Sequence, residues 1–191
     1  MLLHVLTMLK YVLIGFSFLL FAVSAAAAPT ELQGQDLFSG KPVRLQPHMA
    51  RPTVVIFVSA RCPCSASHEE IIKPLAKEFQ DFDFIAVHAN ANETEAETRA
   101  HFEKTAFAFP LIEDRDGRWA ETFQALKTPH AFVVDKQGNI VFSGGVTDAS
   151  HGPTAKIPYL KNALNEFRQT GKIKESKRRA LGCAIRRREK S

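Results

Sequence analysis

Three residues of this chain can hold transferable electrons or a soft metal ion: Cys62, Cys64 and Cys183. Two of them lie in Phe57-Val58-Ser59-Ala60-Arg61-Cys62-Pro63-Cys64-Ser65, where an apolar, β-branched run gives way to an amphipathic one. The run Thr53-Val54-Val55-Ile56-Phe57-Val58 reads as a buried strand. Residues from about 66 to 80 read as a helix with Ile71, Ile72, Leu75, Ala76 and Phe79 on one face. A thiol at the start of such a helix faces unpaired N–H groups and the positive end of the helix dipole, so it ionises readily, and the thiolate is the reactive form. Cys62 is therefore the expected nucleophile, with a pKa below the ~8.5 of a free thiol and with Arg61 adding positive potential. Turnover needs a second thiol. Cys64 is nearest, although a disulfide across one proline closes a small, strained and easily reduced ring. Cys183 lies on a tail long enough to return. Both remain candidates, with Cys64 narrowly preferred.

The elements around these residues set the class of protein. Lys10, the apolar stretch Tyr11 to Val23 and the small residues that follow have the form of a secretory signal peptide over residues 1–27, cleaved after one of Ala25 to Ala27. A start at Met8 would place Lys10 where such a signal carries its charge, and the apolar stretch is shorter than the ~20 residues a membrane span needs. A periplasmic or secreted location is expected. Residues 28–170 then suffice for one domain, followed by a basic tail over 171–191 that carries Cys183. The net charge of +5 is concentrated in that tail, at Lys172, Lys174, Lys177, Arg178, Arg179, Arg186, Arg187, Arg188 and Lys190. The tail is expected to be solvated or to touch an anionic membrane surface. Export makes nucleic acid no partner. Three cysteines leave one thiol over, which suits catalysis better than a static staple.

Along the domain, residues 32–45 read as a hairpin, 82–88 as a strand, 93–105 as a polar helix and 110–112 as a short strand. Residues 119–126 read as a short helix with Phe123 and Leu126 turned inward. Strands at 131–135 and 139–142 flank the turn Lys136-Gln137-Gly138, and residues 157–168 close the domain as a helix with Ile157, Leu160, Leu164 and Phe167 on one side. The order is α/β: helix-linked strands run parallel and the final pair antiparallel, giving a central mixed sheet flanked by helices, with an N-terminal hairpin.

This order, with Cys62 at the end of the first long strand and Thr128-Pro129 before the penultimate one, resembles the thioredoxin fold over about residues 50–170. The resemblance implies that Pro129 is a cis-proline facing Cys62 and that the Thr128 backbone binds an extended substrate strand. Ser59-Ala60-Arg61-Cys62-Pro63-Cys64-Ser65 and the closing Gly182-Cys183-Ala184-Ile185-Arg186 are similar to an exported redoxin subgroup with a CPC motif, related to the peroxiredoxin and thiol-specific antioxidant (AhpC/TSA) families. Two departures stand out. Thioredoxins space their cysteines by two residues, and here Ser65 occupies the second position. Peroxiredoxins place a proline and a hydroxyl residue before the reactive cysteine; Ser59 supplies the hydroxyl, but Val55 replaces the proline.

The resemblance implies an exported thiol-disulfide oxidoreductase acting on protein thiols or disulfides, recycled by an external thiol reductant, with no cofactor and no resident metal. Its site residues are Cys62, Cys64 and Cys183 for chemistry, and Thr128 and Pro129 for substrate binding. A thiol peroxidase acting on peroxide is an alternative, and a redox-inactive protein-binding domain is another. If Pro129 faces Cys62, His68 and His130 come near the same place. Two thiolates and two imidazoles would suit Cu(I) or Zn(II), so a copper-binding or metal-delivery module is a rival from another class.

Overall fold

The computed structural model describes residues 31–187; the signal peptide expected over residues 1–27, with Met8 and Lys10, lies outside them. Strand β3 (Thr53–Val58) organises the molecule. All six of its residues are buried, as an apolar run must be when both faces of a sheet are covered. Its side chains alternate between two cores. Val54, Ile56 and Val58 pack with Ile72 and Leu75 of helix α1 (Pro63–Glu78), with Phe79, its C-cap, and with Leu160 and Leu164 of helix α4 (Tyr159–Thr170). Val55 and Phe57 point the other way, to Trp119, Phe123 and Phe132 and to Leu32 and Leu45. Those two leucines belong to the hairpin β1 (Leu32–Gln35) and β2 (Pro42–Leu45), and Trp119 to helix α3 (Arg118–Thr122).

The five-stranded sheet has the order β5-β4-β3-β7-β8. Strands β4 (Asp83–His88) and β5 (Leu111–Glu113) extend it in parallel, with helix α2 (Glu95–Thr105) between them. Strands β7 (His130–Val134) and β8 (Ile140–Gly144) run antiparallel on the other side. This is the mixed, helix-flanked sheet expected from the order of elements. The register places Val58 beside His88 and Phe57 beside His130. The carboxyl ends of β3 and β4 and the start of β7 thus share one edge of the sheet. Residues just past those ends converge.

Three local expectations are corrected. Helix α1 begins at Pro63, with Cys62 as its N-cap, because proline at the first helical position has its φ already set and lacks an N–H that would go unpaired anyway. Helix α3 ends at Thr122, and Gln124 has φ 51°, which turns Leu126 outward to 64% exposure while Phe123 stays buried. Ile157 precedes α4 and is likewise exposed.

The basic tail is docked rather than detached over its described part, residues 171–187, and Arg188 and Lys190 lie outside the described residues. After α4, Ser143 N–H donates to Ser176 O (2.8 Å) and Arg178 N–H to Ser143 O (2.8 Å). A two-residue strand β9 (Cys183–Ala184) then pairs antiparallel with β6 (Lys127–Thr128). Among the described residues, no helix is long and apolar enough to cross a membrane.

Candidate active site

The loop from β3 into α1 is held from both sides. Ser59 N–H donates to Ser65 Oγ (3.0 Å), tying the strand end to the first turn of the helix, and Ser65 N–H points at Cys62 Sγ (3.4 Å). Glu93, just past the end of β4, closes the loop from the other side. Its carboxylate accepts from Ser59 Oγ (2.5 Å), Ala60 N–H (2.9 Å) and Arg61 N–H (3.2 Å), and lies 3.0 Å from His88 Nε2. Burial alone would raise the Glu93 carboxyl, but the hydrogen bonds from His88, Ser59 and Arg61 outweigh it and hold the pKa below the ordinary glutamate value. An ionised carboxylate thus fixes the backbone that presents Cys62.

Opposite stands the loop carrying Pro129. The Thr128-Pro129 peptide is cis, and the Thr128 carbonyl oxygen lies 3.2 Å from Cys62 Sγ, as the resemblance implied. Cys62 is disulfide-bonded to Cys183, 121 residues away, with the two Cα atoms 6.0 Å apart. The preference for Cys64 as the partner of Cys62 is thereby corrected. A bridge between neighbours one residue apart must bend a tight ring, whereas strand β9 brings Cys183 opposite Thr128 in register. That approach requires Gly182, because a Cβ there would overlap the Thr128 carbonyl. Further along, Ile185 N–H donates to Leu126 O (3.1 Å), Ala91 N–H to Arg186 O (2.7 Å) and Arg186 N–H to Asn90 Oδ1 (2.8 Å).

Cys64 is a free, half-buried thiol. Its sulfur lies within 4.8 Å of both disulfide sulfurs. The two histidines do not join this group. His68 Nδ1 lies 2.7 Å from Cys64 O and its Nε2 2.8 Å from Thr147 Oγ1. His130 Nε2 lies 3.2 Å from Ser143 Oγ, while its buried Nδ1 has no hydrogen-bond partner. Burial pushes both imidazoles toward the neutral form, His130 down to about 4. The Cys–His metal site considered from the sequence is therefore not assembled: among the described residues, the convergent donors are the three cysteines alone.

Ser59, Arg61, Cys62, Glu93, Cys183 and Arg186 line a cleft of 240 Å³ beside the disulfide. A larger cleft of 460 Å³, with Phe38, Phe102, Phe107 and Phe109 in its walls, lies away from the cysteines and contains no thiol. Sequence reasoning misses Glu93 as a site residue, because in the sequence it reads as the first residue of the polar helix, which in the structure begins at Glu95. The available signal is its place in the loop that follows a parallel strand, five positions past His88, at the end of a sheet where sites assemble.

No curated protein sequence matches the chain. An uncharacterized conserved protein from Geobacillus kaustophilus has the same fold at 20% identity, with a TM-score of 0.75, covering 86% of this chain and 92% of that one. The exposed lipoprotein thioredoxin Etrx1 of Streptococcus pneumoniae is similar at 18% identity, with a TM-score of 0.59, over 72% of this chain and 99% of that one. Peroxidoxin BcpB of Mycobacterium tuberculosis is similar at 18% identity, with a TM-score of 0.57, over 75% of this chain and 95% of that one. At these identities the likeness establishes the thioredoxin-like fold. Residues 23–143, which include Cys62, Cys64 and Pro129 but end before Cys183, match the AhpC/TSA family, and the chain belongs to that family of thiol redox proteins.

Proposed function

We propose that the protein is an exported thiol-disulfide oxidoreductase in which Cys62 attacks and Cys183 resolves. The observation that carries this reading is the Cys62–Cys183 disulfide seated against the cis-Pro129 loop. In the reduced protein the Cys62 thiolate, at the start of α1, attacks one sulfur of a substrate disulfide. A mixed disulfide forms and the other substrate sulfur leaves as a thiolate. The Cys183 thiolate then attacks Cys62 Sγ, forming the observed bridge and releasing the second substrate thiol. Two electrons pass from the protein to the substrate, and an external dithiol returns them. Run backwards, the same steps oxidise a substrate dithiol. Thr128, whose strand edge β9 occupies in the oxidised form, is the backbone that an extended substrate segment would pair with.

Family membership supports a peroxidase as the second reading. Against it, the Ser59 hydroxyl is committed to Glu93 and Val55 is buried in β3 at the position of the missing proline. Reduction of a protein disulfide and of hydrogen peroxide, assayed side by side, separates the two. Cys62→Ser should bring disulfide reduction to background, and Cys183→Ser should accumulate a mixed disulfide visible by intact mass. Full activity in Cys62→Ser would move the nucleophile to Cys64, and faster turnover of peroxide than of disulfide would favour the peroxidase. Export is supported by residues 10–27; N-terminal sequencing of the mature protein should begin after one of Ala25 to Ala27.

A further inference from the structure

We propose that the reduced protein binds one Cu(I) ion through the sulfurs of Cys62, Cys64 and Cys183. The three arrive from separate positions in the fold: the N-cap of α1, its first turn, and strand β9. Their sulfur atoms all lie within 4.8 Å of one another. Metal–sulfur bonds of about 2.3 Å in a trigonal plane set sulfurs about 4 Å apart, so once the disulfide opens the Cys62 and Cys183 sulfurs part from bonding distance to that spacing, while Cys64 Sγ already lies within 4.8 Å of both.

The surroundings select the ion. Among the described residues no fourth donor reaches the cluster: Glu93 is held by Ser59, Ala60, Arg61 and His88, His68 by the Cys64 carbonyl and Thr147, and His130 faces Ser143. Three thiolates without a fourth ligand suit Cu(I), whereas Zn(II) in a protein site takes four. The complex carries a net negative charge. Arg61 and Arg186 line the same cleft, and the N-terminus of α1 directs the Ser65 N–H at Cys62 Sγ.

Binding is gated by the disulfide. A phosphine or dithiol reductant supplies two electrons to the Cys62–Cys183 bond, and two protons complete the thiols. Cu(I) then displaces the thiol protons to solvent without changing its own oxidation state. An oxidant that takes two electrons back from Cys62 and Cys183 re-forms the bridge, removes two of the three ligands and expels the ion. The site goes beyond the exchange reading, since a protein without exchange activity would still bind the ion.

The test is an anaerobic titration of the phosphine-reduced protein with Cu(I) in competition with a coloured Cu(I) chelator. One equivalent should bind, with an X-ray absorption signature of three sulfurs. Cys64→Ser and Cys183→Ser should each weaken binding more than about 100-fold, beyond the range of changes outside the ligand set, while His130→Ala leaves it unchanged. The oxidised wild type, a folded control that needs no substitution, should not compete with the chelator. Equal binding by oxidised and reduced protein, wild-type affinity in Cys64→Ser, a nitrogen ligand, or tighter binding of Zn(II) than of Cu(I) would overturn the assignment. None of these outcomes depends on disulfide reductase activity, whose loss would bear on the exchange reading alone.

Discussion

Cys62 and Cys183 share one bond but belong to regions assembled in different ways. Cys62 follows a fully buried strand, caps a long helix, and sits on a loop whose N–H groups are gathered by a buried carboxylate. Cys183 belongs to a largely exposed segment that reaches the domain mainly through backbone hydrogen bonds to β8, β6 and the loop after β4. Its apolar contacts are few: Ile173 packs on one core and Ile185 on the other. Cys62 is thus placed by the fold itself, and Cys183 by strand pairing at the surface of the domain. The exchange chemistry proposed above needs both, a fixed nucleophile and a partner that leaves when a substrate arrives.

The strongest way to break this contrast is at the fixed end. Glu93→Ala should cost about 3–5 kcal/mol in urea unfolding, because it strands Ser59 Oγ, two backbone N–H groups and His88 in a buried place. A loss within the ordinary range of surface substitutions would mean that the loop is not held by this carboxylate. At the movable end, reducing the disulfide should lower stability by about 2–4 kcal/mol, the usual range, below the ~5 kcal/mol that chain entropy alone would give for a loop of 121 residues. Amide exchange should quicken over residues 172–187 while β3 and β4 remain among the slowest to exchange. Equal acceleration in core and tail would erase the distinction.

Between the two regions lies His130, whose partner Ser143 also receives the tail. Its folded pKa is pushed by burial from 6.5 down to about 4, so the imidazole is neutral in the fold but protonates when unfolded. Stability should be full above pH 6.5 and fall by up to ~3 kcal/mol as the pH drops to about 4. His68, depressed in the same direction, adds to the slope. His130→Gln should flatten it, and an unchanged slope would show that His130 does not carry it. The smallest effect is expected from Gly182→Ala. Forcing a methyl against the Thr128 carbonyl should weaken tail docking by about 1–3 kcal/mol. In a glutathione buffer this reads as a Cys62–Cys183 bond roughly 5- to 150-fold easier to reduce, with the reduced protein as stable as wild-type reduced protein.

The sheet and the place of Cys62 at a helix start were legible in the sequence because periodicity reports burial and a β-branched run followed by an amphipathic one can hardly fold otherwise. The cis-Pro129 loop was legible only through resemblance, since nothing local distinguishes a cis from a trans prolyl bond. The pairing of Cys183 was not legible, because two-residue strands such as β6 and β9 have no period. Glu93 escaped for a related reason: its four partners come from β4 and from a loop more than thirty positions upstream. A charged residue read in its own stretch of chain looks like ordinary helix-start chemistry. The histidines misled in the opposite sense, because proximity in the fold does not fix where a ring nitrogen points.

The separation of 121 residues between the bridged cysteines also sets an order in time. At the ~5–20 residues per second of chain synthesis, Cys183 is made on the order of ten seconds after Cys62. Through that interval Cys64 is the only other cysteine of this 191-residue sequence yet made. Where oxidation keeps pace with synthesis, the first intramolecular disulfide open to the nascent chain is Cys62–Cys64 and not the Cys62–Cys183 bond of the folded protein.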